Sequence, residues 1–422
     1  MDVVRHAGIT RAAIESLSSW QRPLLESEVE RIADTYCMYP DIWRWKADRE
    51  THDNAMRFAH VEDDFERYCS VGLPSRPDEV VRFYEHYFNR IVEALREGDV
   101  GVAARYIGSF SHYVADMCSV GHGRLCVEGG QVFNDMYDTL LFPPPAESAY
   151  AFLSFHWLHE SEELWEPGEF PAQEPQLLGR DIHEALFHIT GAHTGIRDGI
   201  FSRYYPAVLA LYRGDLSEVN RLRDSAYAPG IKLLADFIHT AICVAKGRFD
   251  GSSPAVETYC LSDFPPLDYQ RDFVNHMYRG QALRNCSVER VDPLGWKKAP
   301  LALVRVLEGG IREVELEKGF GVGPNTWFAY YVGGAFQTLR LYAGNHARLG
   351  KESALRYIVE GDGGALFDSG EMRGIGPARE ARLSIGNVRM LKFICLPCAE
   401  RLGEGGASAK DHGIWGDVVV RR

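Results

Sequence analysis

The stretch "RYIGSFSHYVADMCSVGHG", residues 105–123, sets His112, Asp116 and His122 among small and apolar residues. Residues four apart on a helix lie one turn apart on the same face, so His112 and Asp116 can reach one cation. A buried imidazole and carboxylate need partners, and a divalent cation supplies them. Gly121 ends the run, which places His122 just past the helix end, within reach of a second ion nearby. Downstream, "FHWLHESEEL" holds His156 and Glu160 at the same four-residue spacing, and the overlapping pair His159 and Glu163 shares it. His156 and Glu160 are preferred, because His156 follows the apolar run "AYAFLSF" while the 159–163 segment is acidic and reads as solvated. Upstream lie Asp41 in "YPDIW", His60 in "RFAHVEDDF" and His6 in "RHAGITRAAIESL". Nitrogen and oxygen donors without thiolate suit zinc. The histidines 60, 112, 122 and 156 with Asp116 and Glu160 make two zinc-type sites, with His6 and Asp41 in reserve.

Helices must position these side chains. In "EVVRFYEHYFNRIVEALREGD", residues 79–99, apolar residues recur at 80, 81, 84, 87, 88, 91, 92 and 95 before a Gly-Asp stop. The next helix begins near Val100 and carries His112 and Asp116. Similar spacing predicts helices over 8–20, 27–37, 148–165, 180–190, 199–213, 217–224 and 229–246. The texture changes through "SDFPPLDYQ" and "ERVDPLGW" to short runs of strand character: "ALVRVL", "TWFAYYV", "FQTLRLYAG", "ALRYIVEG", "ARLSIG" and "MLKFICL". Many short strands separated by turn residues predict a sandwich or jelly roll. The expected architecture is a mainly α helical bundle over residues 1–290, followed by an all-β jelly-roll sandwich over 291–422.

Composition excludes some classes. The formal net charge of -13 argues against the clustered Lys and Arg that a duplex nucleic acid requires. No apolar run approaches the roughly 20 residues of a membrane span, and the N-terminus does not read as a signal peptide. The 9 cysteines are scattered and odd in number, so they do not make a disulfide framework. Cys395 and Cys398 in "CLPC" have the spacing of a zinc or redox motif, but no second such pair exists and the run around them is strand-like, so a structural role is expected. His183, His188 and His193, spaced by five, do not share a helical face and are read as structural.

The run "ARYIGSFSHYVADMCSVGH" resembles the zinc-dependent phospholipase C family and its relatives, the single-strand-specific zinc nucleases, whose helical bundle carries His-x3-Asp-x5-His after a small-residue helix. The order of the other elements fits too: an early His, a Pro-Asp, a solitary His, the central motif, then His-x3-Glu. The resemblance covers roughly residues 1–250. It implies a phosphodiester substrate, phospholipid or other, a secreted protein, and three zinc ions. His60, His112 and Asp116 would hold the first, and His122, His156 and Glu160 the second. His6, the bridging Asp116 and the N-terminal residue would hold the third, for which the family uses a tryptophan where this chain has Met1. Asp41 would be the general base.

A second resemblance covers roughly residues 295–422. "GFGVGPNTW", "FQTLRLYAG", the hairpin "YIVEGDGGALFDSG" and the closing "DHGIWGD" are similar to the NPCBM carbohydrate-binding modules found beside glycoside hydrolases. It implies a glycan partner. Trp327, Tyr330, Tyr331 and Trp415 can stack on sugar faces or fill a sandwich core, and Asp411 and Asp417 can cap a loop or bind calcium. The combined expectation is a zinc-dependent phosphoesterase targeted by a carbohydrate-binding module. The alternatives are a nuclease of the same fold and a non-catalytic, zinc-containing glycan-binding protein.

Overall fold

The computed structural model describes residues 3–40, 77–118, 170–249, 257–270, 282–291, 295–398 and 411–422. The chain forms two compact units, one of residues 1–185 and 192–253, the other of 186–191 and 254–422.

The described helices are α1 (Val3–Glu15), α2 (Arg22–Leu25), α3 (Val29–Asp34), α4 (Pro77–Glu97), α5 (Val100–Cys118), α6 (Ile182–Tyr212) and α7 (Leu216–Lys246), all in the first unit except for Leu186–Gly191 of α6, which belong to the second. α4 and α5 follow the apolar spacing read from the sequence. Gly98 between them takes a φ of +80°, and the Asp99 carboxylate accepts the Val102 N–H at 2.9 Å to start α5. Two further pairs of expected helices are fused. The segments 180–190 and 199–213 are one helix, α6, and 217–224 and 229–246 are one helix, α7, with Pro206 and Pro229 carried inside. Burial of the fused α7 outweighs the proline penalty, since Val219, Leu222, Ala226, Ile231, Leu234 and Phe237 all face the interior. α7 is long and apolar enough to cross a membrane, which the sequence reading did not register, but 72% of its apolar window is buried inside the protein. It is the central helix of the core, where Phe237 stacks on Phe110 of α5 with centroids 4.1 Å apart. The expected helix over 148–165 lies outside the described residues.

α5 is small-faced for a reason. A Cβ on Gly108 would lie 2.3 Å from the Cβ of Tyr36 and 2.9 Å from its carbonyl carbon. Only glycine lets α5 lie against the turn Tyr36–Met38 at this distance.

The second unit contains β1 (Thr258–Cys260), β2 (Asp268–Tyr269), β3 (Leu283–Arg284), β4 (Ser287–Val291), β5 (Gly295–Ala299), β6 (Leu301–Leu307), β7 (Gly310–Leu316) and β8 (Gly319–Val322). They are followed by β9 (Thr326–Tyr331), β10 (Thr338–Asn345), β11 (Ala354–Gly361), β12 (Gly364–Arg373), β13 (Arg379–Ser384), β14 (Met390–Pro397) and β15 (Gly413–Arg421). One antiparallel sheet has the order β13-β10-β15-β8-β3, with β1 also on β15. The other runs β12-β11-β14-β9-β2. Because β1, β2 and β3 pair with β15, β9 and β8, the sandwich begins before residue 260, and a division near 290 would cut it. Those early strands are two or three residues long, too short to show a period of two.

Side chains of both sheets fill the core. β14 alternates along its length, sending Leu391, Phe393 and Cys395 inward to meet Phe328, Tyr357, Leu339 and Trp415. Asp362 and Gly363 turn the β11–β12 hairpin at φ of +49° and +82°, which is what the sequence "GDGG" predicts. Near the sheet ends, His346 and His412 are buried, and His346 Nε2 is 2.9 Å from the Pro300 carbonyl oxygen.

Two outcomes follow from these contacts. Gly108→Ala is expected to destabilise the helical unit by about 1–3 kcal/mol, the usual cost of overpacking, read as a lower Tm by calorimetry. Burial and the neighbouring His346 hold the His412 pKa down to about 4, from an ordinary 6.5. The unfolded chain therefore binds a proton that the folded chain refuses, so stability falls as pH drops from about 6.5 toward 4. Thermal melts of His412→Gln across this range are expected to show a shallower decline than the native protein, and an equal decline would contradict the assignment.

Candidate metal centre

α1 and α5 carry the site. His6 sits on the first turns of α1 and is fully buried, and His112 on α5 is 2% exposed. One turn beyond His6, Thr10 Oγ1 lies 2.8 Å from the His6 carbonyl oxygen and 2.9 Å from Ser111 Oγ, beside His112. Ser111 in turn donates to the Gly108 carbonyl at 2.7 Å. This chain of hydroxyls fixes the register of the two helices at the level of the histidines.

The three side chains converge. His112 Nε2 is 3.2 Å from Asp116 Oδ2, and His6 Nε2 is 3.5 Å from Asp116 Oδ1. The two imidazoles are stacked, with centroids 4.2 Å apart and planes within 1°. One ligand atom of each residue lies within 4.8 Å of the others, which is the group among the described residues with metal-holding geometry. Two imidazole nitrogens and a carboxylate suit zinc by donor type. The sequence reading paired His112 with Asp116 and kept His6 in reserve; the structure stacks His6 on His112 across the same carboxylate. His60, His122, His156, Glu160, Asp41 and the alternative pair His159 and Glu163 lie outside the described residues, as does Met1.

The other residues singled out in the sequence fall elsewhere. His193 is buried with Nδ1 2.9 Å from the Tyr84 hydroxyl, and burial lowers its pKa to about 3, so it stays neutral. His188 packs edge-on against Tyr259 and Phe264. Cys395 belongs to the sandwich core, where burial raises its thiol pKa well above the ordinary value. Of the four candidate stacking aromatics, Trp415, Tyr330 and Tyr331 are buried, and Tyr330 donates its hydroxyl to the Leu261 and Phe264 carbonyls. Trp327 is half-buried, with the Lys392 ammonium 4.6 Å from its ring centroid. Asp411 is buried and accepts the Ala354 N–H at 2.9 Å, a capping role, while Asp417 pairs with Arg305 at 3.6 Å. Sequence reading passed over Gln21, His239 and Cys243; the last two stand four apart in "IHTAIC", a helical spacing that was open to notice.

Comparison with known proteins bears on the second unit. Residues 262–421 match the NPCBM/NEW2 domain. The match spans the sandwich from β2 to β15. Similar solved structures include CBM51 from Clostridium perfringens GH95 in complex with methyl-galactose, 21% identical, over 39% of this chain and 99% of that one, with a TM-score of 0.30. CBM51-2 with the INT domains of Clostridium perfringens ZmpB is 17% identical over 39% of this chain and 32% of that one, with a TM-score of 0.31. The tandem CBM51 modules of the family 98 glycoside hydrolase from Streptococcus pneumoniae are 15% identical over 39% of this chain and 47% of that one, with a TM-score of 0.30. No curated protein matches the chain.

Asp116→Asn keeps the shape of the side chain and removes the charge that two imidazoles share. Purified native protein is expected to contain zinc by elemental analysis, and Asp116→Asn to retain at most a small fraction of it. Equal zinc in both proteins would detach Asp116 from the metal.

Proposed function

We propose that the chain is a glycan-directed phosphoesterase, in which the β unit holds a carbohydrate and the helical unit carries a zinc centre that cleaves a phosphate ester. The observation that carries the catalytic half is the convergence of His6, His112 and Asp116 on one point. The glycan half is supported by the NPCBM/NEW2 match. Such a zinc ion, when bound, would supply hydroxide near neutral pH and polarise a phosphoryl oxygen. His6 and His112 would hold it through imidazole nitrogens, with Asp116 as the carboxylate they share. The resemblance to the zinc-dependent phospholipases C adds His60, His122, His156 and Glu160 as further ligands and Asp41 as the base that orients water. Imidazoles dominate such a ligand set, which leaves it net positive and attractive to a phosphodiester.

A second reading has its own observation. With His6 and His112 buried and the Asp116 side chain 17% exposed, the described part of the cluster is nearly closed. Structural zinc sites are closed, whereas catalytic ones keep a position open to water. A non-catalytic glycan-binding protein with a structural metal fits that feature.

Hydrolysis of bis(p-nitrophenyl) phosphate separates the two. The catalytic reading expects zinc-dependent turnover that Asp116→Asn lowers by more than the roughly 10–100-fold typical of outer-shell partners. Zinc-loaded, folded protein without turnover on this and on phospholipid substrates would leave the structural reading. On a glycan array the native protein is expected to bind, and Trp327→Ala to bind less; an array blank for native protein would remove the glycan half.

A further inference from the structure

The helical unit holds a cavity of about 700 Å³, lined by the turn that follows α1, by residues 172–177 and by His239 of α7. None of His6, His112 and Asp116 lines it. Its volume lies within the roughly 300–1,000 Å³ common for small-molecule sites.

The walls are fastened in place. Residues 171–179 form neither helix nor strand, yet side chains take up their backbone N–H groups. The Gln173 N–H donates to Ser16 Oγ at 2.7 Å, that of Gln176 to Asp236 Oδ1 at 2.7 Å and that of Leu178 to Thr240 Oγ1 at 3.0 Å. Phe170 anchors the start of the segment, stacked on Tyr227 of α7 with centroids 5.6 Å apart. The turn after α1 is tied to the same helix by Gln21, whose Nε2 donates to the His239 carbonyl oxygen at 3.2 Å and whose Oε1 lies 2.8 Å from His239 Nδ1. Pro171, Ala172, Glu174 and Gln176 nevertheless stay exposed, so this fastening buries little apolar surface. What it yields is a wall held in one shape before any ligand arrives.

The lining decides the kind of ligand. Glu15 and Glu174 bring carboxylates, Arg22 a guanidinium, Gln173 and Gln176 amides, and the half-buried Trp20 an aromatic ring. An anion would meet two carboxylates. A cation would meet Arg22, and the Trp20 ring already carries the Arg248 guanidinium 4.5 Å from its centroid. A wholly apolar ligand would take water from these polar groups and return nothing. Burial, with the charge of Lys232, lowers the His239 pKa, so that ring adds no charge. An uncharged ligand rich in hydroxyls suits the whole lining. Each hydroxyl donates and accepts, so it can join a carboxylate to a guanidinium or an amide, while the C–H face of a sugar ring packs on indole.

We infer that this cavity is a carbohydrate site of the helical unit's own, which takes a short neutral oligosaccharide with a sugar face on Trp20 and hydroxyls shared among Glu174, Arg22 and the Gln176 amide. Every lining residue belongs to the helical unit, so the inference stands apart from the glycan reading of the sandwich.

Isothermal titration of the full chain with lactose, cellobiose, N,N′-diacetylchitobiose and maltotriose tests it, in native protein and in Trp20→Ala, Glu174→Ala and Trp327→Ala. The expected result is binding of at least one of these sugars at a site that Trp20→Ala weakens by about tenfold or more, the scale of a lost aromatic contact. Glu174→Ala weakens the same site by a smaller factor, and Trp327→Ala leaves it unchanged. Because Arg248 stacks on Trp20, a Trp20→Ala protein with a lowered Tm is set aside and Glu174→Ala, altered at an exposed side chain, decides. Affinities unchanged in folded Trp20→Ala and in Glu174→Ala would overturn the inference, as would native protein that binds none of these sugars. Binding lost in Trp327→Ala alone would also overturn it, and would leave the glycan reading of the sandwich standing.

Discussion

A single carboxylate facing two stacked imidazoles organises the described half of the site. Asp116 on α5 meets His112 of its own helix and His6 of α1, so the constellation exists only if the two helices hold one register. That register depends on small residues. Gly108 admits the Tyr36 backbone, and the Thr10–Ser111 contact locks the helices side by side. Polar groups so deeply placed are costly unless they are matched to one another or to a cation. The helical unit also holds an aromatic layer in which Phe83, Tyr87 and Phe110 pack at centroid distances of 5.0–6.0 Å, and His112 meets Tyr113 edge-on at 5.6 Å.

The sandwich depends on a different constraint, the alternation of its strands. Leu355, Tyr357 and Val359 from β11 and Leu391, Phe393 and Cys395 from β14 all project to one side, where Trp415 closes the core. This explains why most of the aromatics that could stack on sugar fill the interior instead. Trp327 has the opposite parity to Phe328 and Tyr330 on β9, and its ring is capped by Lys392 from the neighbouring strand. The residues facing outward from the strands and turns are therefore where a ligand can be recognised, while the aromatic content as a whole reports packing.

Much of this was legible in the sequence, and the exceptions have physical causes. The period of α4 and α5 and the hairpin at Asp362–Gly363 follow directly from local residue chemistry. The continuity of α6 and α7 did not, because glycine and proline weaken the local signal while burial of a whole apolar face decides the outcome. The edge of the sandwich was misplaced for a similar reason: β1 to β3 are short strands held by pairing with residues 36 or more positions away. Within the site, the four-residue spacing revealed His112 and Asp116. The stacking of His6 on His112 is a tertiary fact that no local pattern encodes. The same holds for the contact of Gln21 with His239, which joins residues 218 positions apart.

The position of a metal ion between α1 and α5 is the most direct test of the site. Crystals of the native protein, with diffraction recorded on both sides of the zinc absorption edge, are expected to give an anomalous peak between His6, His112 and Asp116, with nitrogen distances of about 2.0–2.1 Å. Fully occupied, well-ordered side chains of these three residues with no anomalous peak among them, in protein grown with zinc, would contradict it.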